Sequence, residues 1–329
     1  MKVLITGFTG FIGSHLYNKL LNEKDIVIIG MTRNQSRLQE FKDIFEVRYG
    51  DLLNPASLKN VTKDVDVVIH LAALMRFHES YKKLYSYNVD GMRFLASDAM
   101  KNNVKHFIYV SSTEAIGPVD HVPADEKAQY HPTYGYGKTK QISEEWLNEQ
   151  YIETSFPVTI VRPTGVYGPG DLYVGLSTVR AVANKKVKIL PGGGEHFVHF
   201  TYVDDVVQGL ICVMKNPRKT IGETFHVTSD DYQTYKETFT TIAKLLDLPP
   251  PSRSVPYWFA KLYLGFQGWK NKLKDVDDFV MHASLVDDMK TDRAYSNKKA
   301  KTILSYNPQF NYKNGITNAI SWYKKHNLI

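Results

Sequence analysis

The feature that most constrains this chain lies at its start. Lys2-Val3-Leu4-Ile5-Thr6 reads as a short apolar strand, Gly7-Phe8-Thr9-Gly10-Phe11-Ile12-Gly13 follows at once, and Phe11 to Leu21 reads as a helix. Glycines between a strand and a helix let the backbone turn tightly and let another group approach it closely. Electrostatics selects that group. The start of a helix presents N–H groups without partners and the positive end of the dipole, which suits a phosphate. Three glycines elsewhere would make an ordinary turn, but in this position Gly7, Thr9, Gly10, Phe11, Ile12 and Gly13 point to a dinucleotide pyrophosphate.

The first half of the chain keeps the same alternation. Strand-like runs at Val3 to Thr6, Ile26 to Met31, Glu46 to Tyr49, Val65 to Leu71, His106 to Ser111 and Val158 to Val161 are separated by helical stretches such as Tyr81 to Lys101 and Tyr136 to Tyr151. Apolar strands joined by helices make a parallel sheet covered on both faces. The expected fold is therefore α/β, a Rossmann-type doubly wound parallel sheet. From Gly168 the regularity weakens, with glycine loops at 168–171 and 192–194 and a Lys-, Asn- and Tyr-rich tail from Pro249. A smaller, mostly helical substrate domain is expected there. Val203 to Asn216 and Gly222 to Val227 look able to return to the sheet. The expected division is thus 1–170 plus about 201–228 for the nucleotide, and 171–200 plus 229–329 for the substrate.

Composition removes several other classes. A chain of 329 residues, 43% hydrophobic, can bury roughly three-quarters of its unfolded surface, which is not the behaviour of a disordered protein. The net charge of +7 is spread out, with only short runs at Lys185-Lys186 and Lys298-Lys299, so no nucleic-acid partner is expected. One cysteine, Cys212, supports neither a disulfide framework nor a multi-cysteine metal site, and no metal is called for. A reducing, cytoplasmic setting is expected. The N-terminal apolar run is too short for a signal peptide, and no segment reaches the about 18 apolar residues of a membrane span.

Which nucleotide is expected follows from the second strand. NAD-selective sites carry an acid about 20 residues beyond the glycines to bind the adenosine ribose. The segment Ile28-Ile29-Gly30-Met31-Thr32-Arg33 has none, and Arg33, with Arg37 nearby, stands in its place. A guanidinium suits a 2′-phosphate, so NADP is favoured over NAD; solvated loop arginines would leave the choice open. Asp51 and Leu52, after the third strand, are candidates to flank the adenine, although Asp51 is equally a loop residue.

The chemistry is expected at the opening of the helix that begins near Tyr136. Tyr136 and Lys140 lie one turn apart on the same face. A tyrosine of ordinary pKa about 10 needs help to exchange a proton near neutrality, and an ammonium beside it favours the phenolate. Ser112, closing the fifth strand, is placed to hydrogen-bond the same substrate oxygen. Tyr134 and Lys138 share the four-residue spacing.

Together, the glycine loop, His70-Leu71-Ala72-Ala73, Ser112, Tyr136-Gly137-Lys138-Thr139-Lys140 with Glu144, and Arg162-Pro163-Thr164-Gly165-Val166-Tyr167-Gly168-Pro169-Gly170 resemble the extended short-chain dehydrogenase/reductase superfamily, the NAD-dependent epimerase/dehydratase family. The resemblance covers residues 2 to about 210. It implies Tyr136 rather than Tyr134 as acid/base, with Lys140 and Ser112 as partners and Tyr134 as a pocket wall. It also implies nicotinamide and ribose contacts from Leu71, Ala72, Ala73, Ser111, Pro163, Thr164 and Val166, and a packing role for Asn88.

Two branches remain in view. Sugar-nucleotide members usually carry Arg-Asp-Phe where this chain reads Val198-His199-Phe200, so the arginine that would meet a diphosphate is replaced by valine. His196 and His199 would help a diphosphate only if protonated. Dehydratases carry Asp-Glu where this chain has Thr113-Glu114, so water loss is disfavoured, with Thr113 and Glu114 kept as substrate contacts. The segment 111–118 looks nearer the 3β-hydroxysteroid dehydrogenase and dihydroflavonol reductase-like branch. That resemblance implies hydride transfer between NAD(P) and a secondary alcohol or ketone on an apolar or polycyclic substrate, with a nucleotide-sugar 4-epimerase, or a dehydratase, with tightly bound NAD as the alternative. The apolar stretch Val255 to Phe266 suits an apolar substrate, peripheral contact with a lipid surface, or simple packing within the small domain. A homodimer through Tyr81 to Lys101 and Tyr136 to Tyr151 is compatible with their apolar positions.

Overall fold

A computed structural model describes residues 1–34, 38, 41, 46–76, 79–273 and 283–329, with the side chains of 267–273 and of 283–284 outside the description. Arg37 lies outside the described residues. Seven strands form the main sheet: β1 (Lys2–Thr6), β2 (Val27–Thr32), β3 (Glu46–Tyr49), β4 (Val67–His70), β5 (His106–Val110), β6 (Val158–Pro163) and β7 (Thr224–Val227). Their spatial order is β7-β6-β5-β4-β1-β2-β3, and every neighbouring pair is parallel. This is the doubly wound fold expected from the alternation. The chain runs outward from β1 through β3 and then crosses to β4 on the other side of β1. Connections leaving β1 and β4 therefore diverge, and a crevice opens at their carboxyl ends.

Side chains of β1 alternate between two cores, as strand geometry requires. Val3 and Ile5 join Leu16 and Leu20 of α1 (Phe11–Leu20) and Val206 and Leu210 of the helix Val203–Lys215. Leu4 joins Met92 and Leu95 of α2 (Gly91–Lys101) and Leu147 of α3 (Gly135–Thr154) on the opposite face. Asn88 ties the layers together. Its side chain accepts from the N–H of Leu74 at 2.8 Å and donates to the Leu74 carbonyl at 3.0 Å and the Thr139 hydroxyl at 3.1 Å.

A second core, with Leu176, Val198, Phe239, Ile242, Ile316 and Tyr323 among its members, builds the smaller lobe. The expected division assigns 229–329 wholly to that lobe. The segment Lys298–Leu304 instead packs against the sheet, because Ala300 and Leu304, one turn apart, join Tyr306 beside Val206 and Phe225. Its lysines face outward, Lys299 to Glu223 and Lys301 to Asp230. Among the described residues no helix is long and apolar enough to cross a membrane.

Candidate active site

The three glycines after β1 are required for different reasons. Gly7 has φ +70°, and a Cβ there would lie 2.9 Å from the Ala72 nitrogen, so it allows the loops after β1 and β4 to touch. A Cβ on Gly13 would sit 2.2 Å from the Gly7 carbonyl oxygen, so this glycine lets α1 pack onto its own loop. Gly10 differs from both, with φ −84° and its nearest neighbour, the Gly7 carbonyl oxygen, at 3.1 Å. The fold itself asks little of Gly10; a ligand lying against the backbone asks more. α1 starts with no side-chain cap and no acid in its first turn. The donors and the bare backbone thus fit a pyrophosphate.

These glycines form one end of a cavity of about 750 Å³. Gly7 and Thr9 to Gly13, Leu71 to Ala73, Ser111 to Glu114, Tyr134, Tyr136, Lys140, Pro163, Thr164 and Val166 all border it. Arg33, Asp51 and Leu52 do not. The Arg33 guanidinium donates to the Tyr87 hydroxyl and stands 5.7 Å from that ring. The Asp51 carboxylate accepts from the N–H of Leu53 at 3.0 Å, closing its own loop. Leu52 is buried where α2 begins, since a Cβ on Gly91 would lie 2.6 Å from it.

Tyr136 lies in the first turn of α3, with Lys140 a turn further on. The lysine Nζ donates to the Val110 carbonyl at 2.8 Å and stands 4.6 Å from the Tyr109 ring and 5.6 Å from the Tyr136 ring. Burial moves both groups towards their neutral forms. It pushes the Tyr136 hydroxyl well above its ordinary value, with Glu114 adding to the effect, and pulls Lys140 down to about 7 against the attraction of Glu144. Ser112 is oriented by the N–H of Glu114, which donates to its oxygen at 3.1 Å. An oxygen used as acceptor keeps its own proton available for a substrate.

The supporting layer is also hydrogen-bonded. The Thr6 hydroxyl accepts from the N–H of Ala72 at 3.2 Å and lies 2.7 Å from His70 Nδ1. Burial, with Lys140 adding to it, lowers His70 to about 3, so the ring is neutral. Deeper, Glu144 meets Arg162 at 2.5 Å and accepts from Tyr130 at 2.8 Å and from Ser111.

The other end of the cavity is made by the small lobe. Tyr134 stacks beside Tyr136, with ring centres 6.3 Å apart. Arg293, which the motifs do not single out, donates to Glu114 at 2.7 Å, Asp288 at 2.7 Å and Thr133 at 2.9 Å. Burial pushes the Asp288 carboxyl up to about 7 despite that arginine. Asp288, Arg293 and Tyr295 border the cavity yet come from a stretch without regular periodicity. The only available signal was the Tyr295-Ser296-Asn297 segment, which Asp288 and Arg293 precede. His199 accepts from the N–H of Tyr295 on Nδ1 at 3.2 Å and meets the Ser229 carbonyl through Nε2 at 3.2 Å. Burial lowers it to about 4, so it is a neutral structural ring. His196 is engaged with Asp292 at 3.1 Å.

A glycine-loop crevice that opens into the same cavity as a tyrosine–lysine pair defines a dinucleotide-dependent enzyme of the short-chain dehydrogenase/reductase type. The model of the NAD dependent epimerase/dehydratase family matches residues 3–228, and the chain belongs to that family. It is 28% identical to the mouse sterol-4-alpha-carboxylate 3-dehydrogenase, decarboxylating, over 80% of this chain and 74% of the relative. It is 25% identical to an uncharacterized UDP-glucose epimerase of Bacillus subtilis over 98% of both. The solved UDP-glucuronic acid 4-epimerase of Bacillus cereus, in complex with NAD, superposes with a TM-score of 0.79 over 99% of each chain at 20% identity, a likeness of fold.

Proposed function

We propose that this enzyme moves hydride between a nicotinamide nucleotide and a secondary alcohol or ketone on an apolar or polycyclic substrate. One observation carries the reading. Val198, Phe200, Tyr235, Phe239 and Leu285 border the substrate end, and Arg293, the one guanidinium among the described residues there, is already held by Glu114 and Asp288. A diphosphate finds no free guanidinium on that wall, whereas a ring system finds apolar surface.

The bound nucleotide supplies the hydride acceptor or donor. In reduction, Ser112 donates a hydrogen bond to the carbonyl oxygen, and Tyr136 gives that oxygen its proton as hydride reaches the carbon. In oxidation the alcohol proton returns to the Tyr136 phenolate. Lys140 as ammonium stabilises that phenolate and reaches the nucleotide ribose. Leu71 to Ala73, Ser111, Pro163, Thr164 and Val166 shape the nicotinamide end, with Thr113, Glu114 and Tyr134 on the substrate. Arg33 stands in the sequence where NAD-selective sites carry an acid, which favours NADP over NAD. Two copies paired across the helices around Tyr81 to Lys101 and Tyr136 to Tyr151 belong to the same reading, and light scattering in solution checks it.

The experiment is Tyr136→Phe assayed for nicotinamide turnover on steroid-like and flavonoid-like alcohols. The expected result is a loss of about 10²- to 10⁴-fold with nucleotide binding intact, and full activity in the variant overturns the assignment. The nearly full-length match to the Bacillus subtilis relative favours a second reading, a nucleotide-sugar 4-epimerase that keeps its nucleotide. Mass spectrometry of nucleotide released on denaturation separates the two. NAD retained near one per chain after dialysis, with UDP-sugar binding by calorimetry, selects the epimerase. Little retained nucleotide with tighter NADP(H) selects the exchanging oxidoreductase.

A further inference from the structure

From Tyr257 to Phe266 the helix Tyr257–Leu273 packs one side against the small lobe, while large apolar side chains on the other side are exposed. On the inner side Ala260 is buried, the Tyr257 hydroxyl donates to the Met289 carbonyl at 3.1 Å, and Lys261 pairs with Asp287 at 2.8 Å. On the outer side Trp258, Phe259, Leu262, Tyr263 and Phe266 are 52% to 68% exposed. The spacing i, i+1, i+4, i+5, i+8 places these five on one stripe. An exposed stripe of large apolar side chains of this kind marks an interaction surface.

Cations flank this stripe. The strand Arg253–Val255, just before the helix, pairs with Ile189–Pro191 and brings exposed Arg253 next to exposed Lys188 and Ile189, with Lys185 nearby in sequence. Lys261 is engaged with Asp287 on the inner side, and the sequence from Tyr257 to Leu273 contains no acid. Asp275, Asp277 and Asp278 follow it, outside the described residues. Large aromatic and aliphatic groups beside a cationic rim are the composition that an anionic lipid interface takes up. A second copy of this chain would set the same cations against each other.

We propose that this face docks on an anionic lipid surface, with Trp258, Leu262 and Phe266 entering the headgroup boundary and Lys188 and Arg253 meeting lipid phosphates. The docking rests on the surface alone. Its use rests on the proposed function: the helix is tied through Asp287 and Met289 to the segment whose Leu285 and Asp288 border the cavity, so docking sets the substrate end beside a store of apolar substrate.

The test is co-sedimentation of the full chain with vesicles of phosphatidylcholine containing roughly 30% phosphatidylglycerol, against phosphatidylcholine alone. Wild type is expected to sediment with the anionic vesicles, and Leu262→Glu/Phe266→Glu to partition about tenfold less. Lys188→Glu/Arg253→Glu, which leaves the apolar stripe intact, is expected to lose the preference for anionic lipid. No sedimentation of wild type, sedimentation of both variants equal to that of wild type, or equal binding of wild type to neutral vesicles overturns the proposal. So does a dimer in light scattering that the Leu262/Phe266 variant dissolves without any vesicle binding. Docking without turnover on apolar alcohols breaks the functional reading and leaves the docking standing; turnover without docking does the reverse.

Discussion

The two ends of the cavity are built on different principles. The nucleotide end is mostly backbone: a glycine loop, a bare helix start and the strand end at Ala72, each explained by neighbours a few residues away or by one adjacent strand. The substrate end is made of side chains brought together from distant segments. Glu114 meets a guanidinium 179 residues further along the chain. A backbone seat serves any pyrophosphate, whereas a side-chain wall can be rebuilt for each substrate without touching the sheet. That contrast can be tested variant by variant.

The largest effect is expected from the Glu144–Arg162 ion pair. Under the nucleotide end, Glu144 and Arg162 are 0% and 4% exposed, and Glu144 is completed by Tyr130 and Ser111. Glu144→Ala leaves the guanidinium buried without its carboxylate and is expected to cost about 3–5 kcal/mol in urea unfolding. If instead the loss stays near 1 kcal/mol, the pair is not the support that its burial implies.

Next in size come the glycines, which separate fold from ligand within one loop. Gly13→Ala drives a Cβ into the Gly7 carbonyl and is expected to cost about 1–3 kcal/mol of stability. Gly10→Ala meets only one atom, at 3.1 Å, so its stability cost should stay within about 1 kcal/mol. Its nucleotide affinity should fall about tenfold, equivalent to about 1.4 kcal/mol. Parallel unfolding and nucleotide titration check this, and a Gly10→Ala enzyme with unchanged affinity removes the pyrophosphate from that spot.

This division also explains what was legible in the sequence. The sheet, the glycine loop, Ser112, Tyr136 and Lys140 sit in segments whose local pattern follows from local geometry: alternation along a strand, one turn along a helix. Arg293 and Asp288 become neighbours of Glu114 only after the small lobe folds, and nothing in their own segment marks them. The return of Lys298–Leu304 to the sheet was hidden for a similar reason, since two apolar residues one turn apart do not say which core they join. Leu52 follows a strand end, and its side chain packs under Gly91, a long-range contact that its own segment does not announce.

A smaller effect is expected at the substrate end. Asp288→Asn leaves Arg293 held by Glu114 at 2.7 Å, so the cost should stay within about 1 kcal/mol. A loss as large as that of Glu144→Ala would erase the contrast between the two ends.

The smallest effect compares two helix starts that face the same cavity. α1 leaves its first N–H groups for a ligand, whereas the helix Val174–Ala183 has its own anion: Asp171 accepts from the N–H groups of Tyr173 at 2.9 Å and Gly175 at 2.6 Å. Burial nevertheless raises the Asp171 carboxyl from 3.8 to about 6, against those hydrogen bonds. The folded state therefore holds a proton that the unfolded chain has released between about pH 4 and about pH 6, so this residue's contribution to stability falls as pH rises through that window and is constant above it. Asn at this position cannot titrate. Wild type is expected to lose stability relative to Asp171→Asn as pH rises from about 4 to about 6, with no further change at higher pH, in urea unfolding measured at several pH values. A difference that stays flat or moves the other way would mean that the helix N–H groups outweigh burial at Asp171, and that this helix start binds a full negative charge as readily as the start of α1 is argued to do.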